Sequence, residues 1–299
     1  MCEFSEKCSL CPRMCGTDRA AGQKGFCGGG NLVRVARAAL HYWEEPCISG
    51  ESGSGTVFFS GCTMRCVFCQ NKEISRGEAG KEITIERLAE IYLELAAKGA
   101  NNINLVTPMH YAPQITAALD IARKNGLTLP IVWNTGGWER RESVAAVRDY
   151  ADIWLSDFKY FDSSLGESLS KAPNYFSVAA AALDQMVKQT CKPVFDENDM
   201  MHRGVIVRHL MLPGHLDDTK NVLRFLYENY GDSIWISIMN QYTPMCPDPR
   251  FPELSRTVSD EEYNEAIDFA CELGIENAFV QEGGTVGESF IPPFDLSGV

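Results

Sequence analysis

From Thr56 onward, short apolar runs alternate with longer stretches in which apolar residues recur every three or four positions. The runs are Thr56–Ser60, Ile103–Thr107, Ile131–Thr135, Ile153–Asp157, Val205–Leu212, Ile234–Met239 and Ala278–Gln281. Val, Ile, Phe and Trp dominate them and polar residues stand at their ends, as strands buried on both faces require. Between the runs the spacing predicts helices. Thr84 caps one carrying Leu88, Ile91, Tyr92 and Leu95, with Gly99 as its stop. Pro113 suits the first turn of the next, which carries Ile115, Ala118, Leu119 and Ala122 and ends near Gly126. Asp217 or Asp218 is placed to cap a helix with Val222, Phe225 and Leu226. Ser259 and Glu262 form a capping-box pattern ahead of Tyr263, Ala266, Ile267 and Ala270, and Gly274 ends that helix. Lys192–Gly204 reads as a polar loop.

Repeated strand-then-helix order predicts an α/β fold with a parallel sheet or barrel. In such folds the chemistry gathers where strands end. Those ends are polar here: Gly61-Cys62, Thr107-Pro108-Met109-His110, Asn134-Thr135-Gly136-Gly137, Asp157-Phe158-Lys159 and Asn240-Gln241-Tyr242. They converge on one mouth.

Residues 1–50 differ in texture, rich in Cys and Gly with little apolar periodicity before Leu32, so the chain divides into a 1–50 leader and a 51–299 barrel. The net charge of −13 and the lack of a Lys/Arg-rich run exclude a nucleic-acid backbone as partner. No apolar stretch is long enough to cross a bilayer, and the first residues lack the layout of a signal peptide. A cytoplasmic protein is expected, where thiols stay reduced and clustered cysteines read as metal ligands. There are 12 cysteines.

Three of them, Cys62, Cys66 and Cys69, follow the first apolar run directly, and Gln70-Asn71 follows them. Thiolates at this spacing on a strand-end loop can wrap an iron–sulfur cluster. Three ligands for four irons leave one iron open, as a catalytic metal requires. The rival reading, three thiols packed on one helix face, is weakened by Gly61 and by the polar Gln70-Asn71. Zinc lacks a fourth ligand nearby.

At these residues the chain resembles the radical S-adenosylmethionine (SAM) superfamily, from about Gly55 to Gln281. The flanking segments Cys-Gln-Asn, Asn-Ile-Asn-Leu-Val-Thr-Pro, Ser-Asp-Phe-Lys-Tyr, Val-Arg-His-Leu-Met-Leu-Pro-Gly and Asn-Gln-Tyr-Thr-Pro are similar to its pyruvate formate-lyase activating enzyme-like branch. The resemblance implies a partial (β/α)6 TIM-like barrel behind a cysteine-rich N-terminal extension. It also implies a 4Fe–4S cluster on Cys62, Cys66 and Cys69, with SAM chelating the open iron. Reductive cleavage of SAM would give a 5′-deoxyadenosyl radical that removes a hydrogen atom from a substrate. Phe68 takes the position that packs near adenine. Asn134, Thr135, Asp157 and Lys159 match the positions near the SAM carboxylate and an associated cation, with Asn for Asp at 134. Arg208, pointing into the barrel, suits a carboxylate. Gln241 and Tyr242 fall at the adenosine end. Val106-Thr107-Pro108 stands where the superfamily often has Gly-Gly-Glu, so Thr107 or nearby carbonyls would receive the SAM amine.

The favoured function is an activase that makes a glycine-centred radical in a glycyl-radical enzyme or other protein substrate. An electron donor such as a flavodoxin or ferredoxin would serve it. Radical modification of a small molecule or peptide, and a non-catalytic electron carrier, are the alternatives.

Cys8, Cys11, Cys15 and Cys27 offer four thiols in a segment too poor in apolar residues for its own core. They suit zinc or a second iron–sulfur cluster, whose binding would supply the folding energy. Cys2 reads as a free thiol. His110 reads as a hydrogen-bonded rim histidine or a substrate contact, and His209 as facing the helices. Cys271 reads as helix packing, and Cys246 as a candidate hydrogen-atom donor or acceptor. Glu282-Gly283-Gly284 reads as a turn.

Overall fold

The structure, a computed structural model, describes residues 7–245, 248–281 and 291–299. Cys2, Cys246 and Glu282-Gly283-Gly284 lie outside the described residues.

After the leader come strand β1 (Val33–His41), the single-turn helix α1 (Pro46–Ser49) and β2 (Ser54–Phe59). Then follow α2 (Lys72–Ser75), β3 (Lys81–Ile83), α3 (Ile85–Ala97), β4 (Ile103–Val106), α4 (Ala112–Lys124) and β5 (Ile131–Thr135). The next elements are α5 (Arg141–Ala146), β6 (Ile153–Asp157), α6 (Ser163–Ser170), α7 (Tyr175–Thr190), β7 (Val194–Phe195) and β8 (Met201–Leu210). Helix α8 (Leu216–Tyr230), β9 (Trp235–Met239), α9 (Asp260–Leu273) and β10 (Ala278–Val280) complete the order.

All seven apolar runs are strands, and they lie parallel to one another in the order β2-β4-β5-β6-β8-β9-β10. Strand β1 pairs antiparallel with β2 and β3 with β1, so the sheet ends at β3 and β10 and stays open. Six strand–helix units followed by β10 make the partial barrel. The leader segment therefore ends in a strand of the main sheet, where Val33, Val35 and Ala38 are buried.

Side chains alternate across each strand. Val57, Phe59, Leu105, Trp133, Trp154, Val205 and Val207 join the core under the helices, with the Trp133 and Trp154 rings 5.9 Å apart. The opposite face holds a smaller apolar cluster, Val132, Ile153, Leu155 and Ile206, on which Cys47 and Ile48 of α1 sit like a stopper. One step further along the strands the same inner face turns polar, with Asn134, Asp157 and Arg208.

The caps follow the sequence closely. Thr84 accepts from the Arg87 N–H, and Ser259 with Glu262 forms the full capping box. Three expectations need correction. Helix α8 starts at Leu216 with His215 at its cap, and Asp218 turns away to accept the Phe161 and Asp162 N–H groups instead. Lys192–Gly204 is mostly a β7–β8 hairpin. Its turn is held by Asp196, whose carboxylate accepts from the N–H groups of Asn198 and Met200, both at 2.9 Å. Cys271 is exposed on α9, outside the buried set of Tyr263, Ala266 and Ala270.

Candidate active site

Gly61 leaves β2 with φ 94°, and a Cβ there would collide with the Cys27 carbonyl oxygen. Only glycine lets the leader seat against this turn. From Gly61 the chain swings Cys62, Cys66 and Cys69 onto one cavity of ≈ 460 Å³, the size of a small-molecule site. The sulfurs meet donors: the Met64 N–H reaches Cys62 at 3.4 Å, and the Ser170 hydroxyl reaches Cys66 at 3.0 Å. Ser75 and the Asn71 backbone do the same for Cys69. Burial and the neighbouring thiols push Cys62 well up, and burial pushes Cys66 to about 11 against the pull of nearby Lys159. Such thiols ionise when a metal supplies the positive charge.

Among the described residues no three His, Cys, Asp or Glu side chains are gathered tightly enough to hold a single metal ion. A cubane asks for a looser set, one thiolate per iron, and three thiols around one cavity with donors on their sulfurs fit that demand.

Across the cavity lies a buried charged network. Lys159 donates to Asp157 Oδ2 at 2.5 Å, and Arg208 Nε to Asp157 Oδ1 at 3.1 Å. Arg208 Nη2 reaches Asn134 Oδ1 at 2.6 Å, and Nη1 reaches Glu44 Oε2 at 3.1 Å. Glu44 rises from the β1–α1 connection and also accepts from Asn104 at 2.9 Å. Burial works to raise the Asp157 carboxyl, but Lys159 and Arg208 outweigh it and hold the group below its ordinary value. Lys159 is likewise raised, burial being overcome by Asp157. Gly137 lets the β5 loop cross the Asp157 carbonyl, where a Cβ would collide.

Thr107 lines the cavity with φ 58°, an outlier for a β-branched residue, and its N–H is held by the Asn134 carbonyl at 2.8 Å. Thr135, Phe68 and Gln241 line it too. Gln241 receives Gln70 on its carbonyl and Gln281 on its side chain. Tyr242 stands elsewhere: its ring meets Phe68 edge-on at 6.3 Å, while its hydroxyl donates to the Leu254 carbonyl behind. It supports Phe68 and does not line the cavity. His110 is buried and bonded to the Ser60 carbonyl, and His209 bridges the Phe158 carbonyl and Thr219 of α8 on the helix side.

The leader packs directly on the thiol loop. Arg13 lies over the Phe26 ring and donates to the carbonyls of Thr63 and Lys171, both at 2.6 Å. Arg65 answers from the loop to the Phe26 carbonyl, and Arg140 binds the Ser9 carbonyl. Cys8, Cys11 and Cys27 are buried and Cys15 is exposed. Cys27 accepts from Arg19 and the Gly29 N–H, and Cys15 from Thr17 and Cys8.

Sequence reasoning passed over four cavity or near-cavity residues. Glu44 and Glu45 belong to no strand end, Ser170 comes from the far end of α6, and Glu139 follows Trp138 in the β5 loop. No spacing rule points to them.

An open parallel half-barrel with three thiols on the loop after its first parallel strand defines an iron–sulfur enzyme of the SAM-cleaving type. The radical SAM superfamily model matches residues 56–226, more than half of the chain, and the chain belongs to that superfamily. Within it the chain resembles the pyruvate formate-lyase activating enzymes. The pyruvate formate-lyase 1-activating enzyme of Escherichia coli is 21% identical over 201 residues, 62% of this chain and 78% of that enzyme. An uncharacterized protein of Methanocaldococcus jannaschii is 29% identical over 285 residues, 91% of this chain and 76% of its own length. A solved domain of the pyruvate-formate lyase-activating enzyme from Bacteroides vulgatus shares 15% identity at a TM-score of 0.45, covering 61% of this chain and 100% of that one. Among the described residues no helix is long and apolar enough to cross a membrane.

Proposed function

We propose that the chain activates a partner protein by removing a hydrogen atom from it, most simply from a glycine of a glycyl-radical enzyme. The observation that carries the reading is the pairing, across one cavity, of the Cys62, Cys66 and Cys69 thiols with the buried Asp157–Lys159–Arg208 network. Kinship with a pyruvate formate-lyase activating enzyme adds the substrate class.

Cys62, Cys66 and Cys69 would hold a 4Fe–4S cluster by one thiolate each. Bound beside it, SAM supplies the chemistry: one electron splits its sulfonium into methionine and a 5′-deoxyadenosyl radical that abstracts the hydrogen. The protein's part is to orient and to exclude water. Lys159 and Arg208 present fixed positive charge to a carboxylate, and Asp157 holds both in place. Phe68, backed by Tyr242, offers a flat apolar face for adenine, with Gln241 beside it. The strained Thr107 backbone and Thr135 present hydroxyls at the strand ends. Cys8, Cys11, Cys15 and Cys27 would hold a separate metal, zinc or a second cluster, that would staple the leader.

Anaerobically reconstituted protein with SAM and dithionite should release 5′-deoxyadenosine, and Cys66→Ala should abolish that release together with the cluster. Adding a glycyl-radical enzyme should give a glycine-centred electron paramagnetic resonance (EPR) signal. Cleavage of SAM without that signal for any such partner would end the activase reading. Metal analysis of wild type and Cys27→Ser would show which metal the leader holds.

A further inference from the structure

Arg13, Arg19 and Arg65 gather where the leader meets the thiol loop, and among the described residues none of them forms an ion pair with a carboxylate. Arg19 is 3% exposed; it donates to the His110 carbonyl and to the Cys27 sulfur at 3.3 Å, and its Nε has no partner. Arg65 donates to the Phe26 carbonyl, and its buried Nε is equally unpartnered. Arg13 and Arg65 both lie over the Phe26 ring, at 3.5 and 4.9 Å, although their like charges repel. The cavity's cations are placed otherwise, since Lys159 and Arg208 both meet carboxylates. A cation taken out of water is costly unless a negative group faces it. The groups facing these arginines are thiols.

The four leader thiols act on one another: Cys15 is hydrogen-bonded to Cys8, and Cys11 and Cys27 each feel the charge of Cys8. As neutral thiols they leave the arginines uncompensated, whereas metal binding releases their protons. Four thiolates around one Zn2+ carry a net charge of about −2, and around a cubane they stay negative too. Arg13 stands between this set and the catalytic one. It follows Cys11 by two residues, and its Nε holds the carbonyl of Thr63, next to Cys62, at 2.6 Å. Cys11, Cys62 and Cys27 all act on its charge.

Resting on the cluster and the leader metal proposed above, we propose that Arg19 and Arg13 are the counter-charges of the leader thiolates, and that Arg13 couples the leader metal to the reduction potential of the Cys62–Cys66–Cys69 cluster. A positive charge beside a cluster favours its reduced, more negative state, and a negative site nearby opposes it. An occupied leader therefore offsets Arg13 and holds the potential down. An empty leader leaves Arg13 free to raise it.

The test is a potentiometric titration read by EPR on anaerobically cluster-loaded protein, using the signal that changes on adding SAM, with iron and zinc counted in each sample. Arg13→Met should lower the potential by about 60 mV or more, tenfold in the reduction equilibrium. Arg13→Lys keeps the charge and should retain most of the potential. Cys27→Ser, which empties the leader with Arg13 in place, should raise it. Arg19→Met should loosen the leader metal by about tenfold or more in competition with a chelator. An unmoved potential in Arg13→Met or Cys27→Ser would overturn the coupling. So would Arg13→Lys matching Arg13→Met, or loss of the catalytic iron from Arg13→Met, either of which would make Arg13 structural. Unchanged leader affinity in Arg19→Met, or wild type with the cluster but no leader metal, would overturn the counter-charge assignment. Wild type without the cluster would overturn the radical SAM reading instead.

Discussion

Asp157 and Arg208 are register partners on adjacent parallel strands, and the carboxylate accepts the guanidinium Nε at 3.1 Å. Because both point inward, the pair crosses the lumen and Arg208 goes on to Asn134 and Glu44. Removing the cation would leave the buried Glu44 without a counter-charge and Asp157 with Lys159 alone, a loss of roughly 3–5 kcal/mol. Arg208→Met should therefore lower the melting temperature by on the order of 10 °C and abolish SAM binding. Differential scanning calorimetry with anaerobic dialysis checks both.

The Arg208 guanidinium fills the space between the Asn134 and Asp157 oxygens, the place a monovalent cation would seek. SAM cleavage should be unchanged when potassium is replaced by sodium or tetramethylammonium at constant ionic strength. A rate that follows the cation would show that an ion binds beside the guanidinium.

Tyr160 and Ser170 share a hydrogen bond at 2.6 Å, and Ser170 donates to Cys66 at 3.0 Å. A donor on a ligating sulfur stabilises the reduced, more negative cluster. Ser170→Ala should make the cluster harder to reduce, with iron content intact, in a potentiometric titration read by EPR. An unmoved potential would separate Cys66 from the cluster.

Glu139 has its carboxyl raised from 4.5 to about 8. Between those values the native chain holds a proton that the unfolded chain has lost, so stability falls as pH rises. His110 and His209, lowered from 6.5 to about 4, act oppositely: stability falls as pH drops through their window. Above pH 6.5 the carboxyl dominates this comparison. From pH 6.5 to 8 wild type should lose up to about 1.4 kcal/mol per pH unit more than Glu139→Gln. Melting temperatures of both proteins across that range measure it.

The strands were legible because each is an apolar run bounded by polar residues, and the α3 and α9 caps because Thr84 and Ser259 carry their own signals. Strand β1 was not: Val33, Val35 and Ala38 are interleaved with Arg34 and Arg37, a run too mixed to stand out as a buried strand. Helix α7 hid behind Asn174, whose left-handed backbone announces a turn. The thiol triplet, Asp157 and Lys159 stand at strand ends in the sequence, and Arg208 at an inward-facing position of its own strand. Glu44 and Glu139 could not be read this way, since their importance lies in what the sheet brings near them.

Arg13 hooks the carbonyls of residues 63 and 171 while Cys27 rests on Gly61, so the first described residues brace the thiol loop without lining the chamber themselves. Trimming them away would therefore unfasten that loop at Gly61 and Thr63, and the Cys62 sulfur between them would lose the splint that keeps it aimed at its two partners.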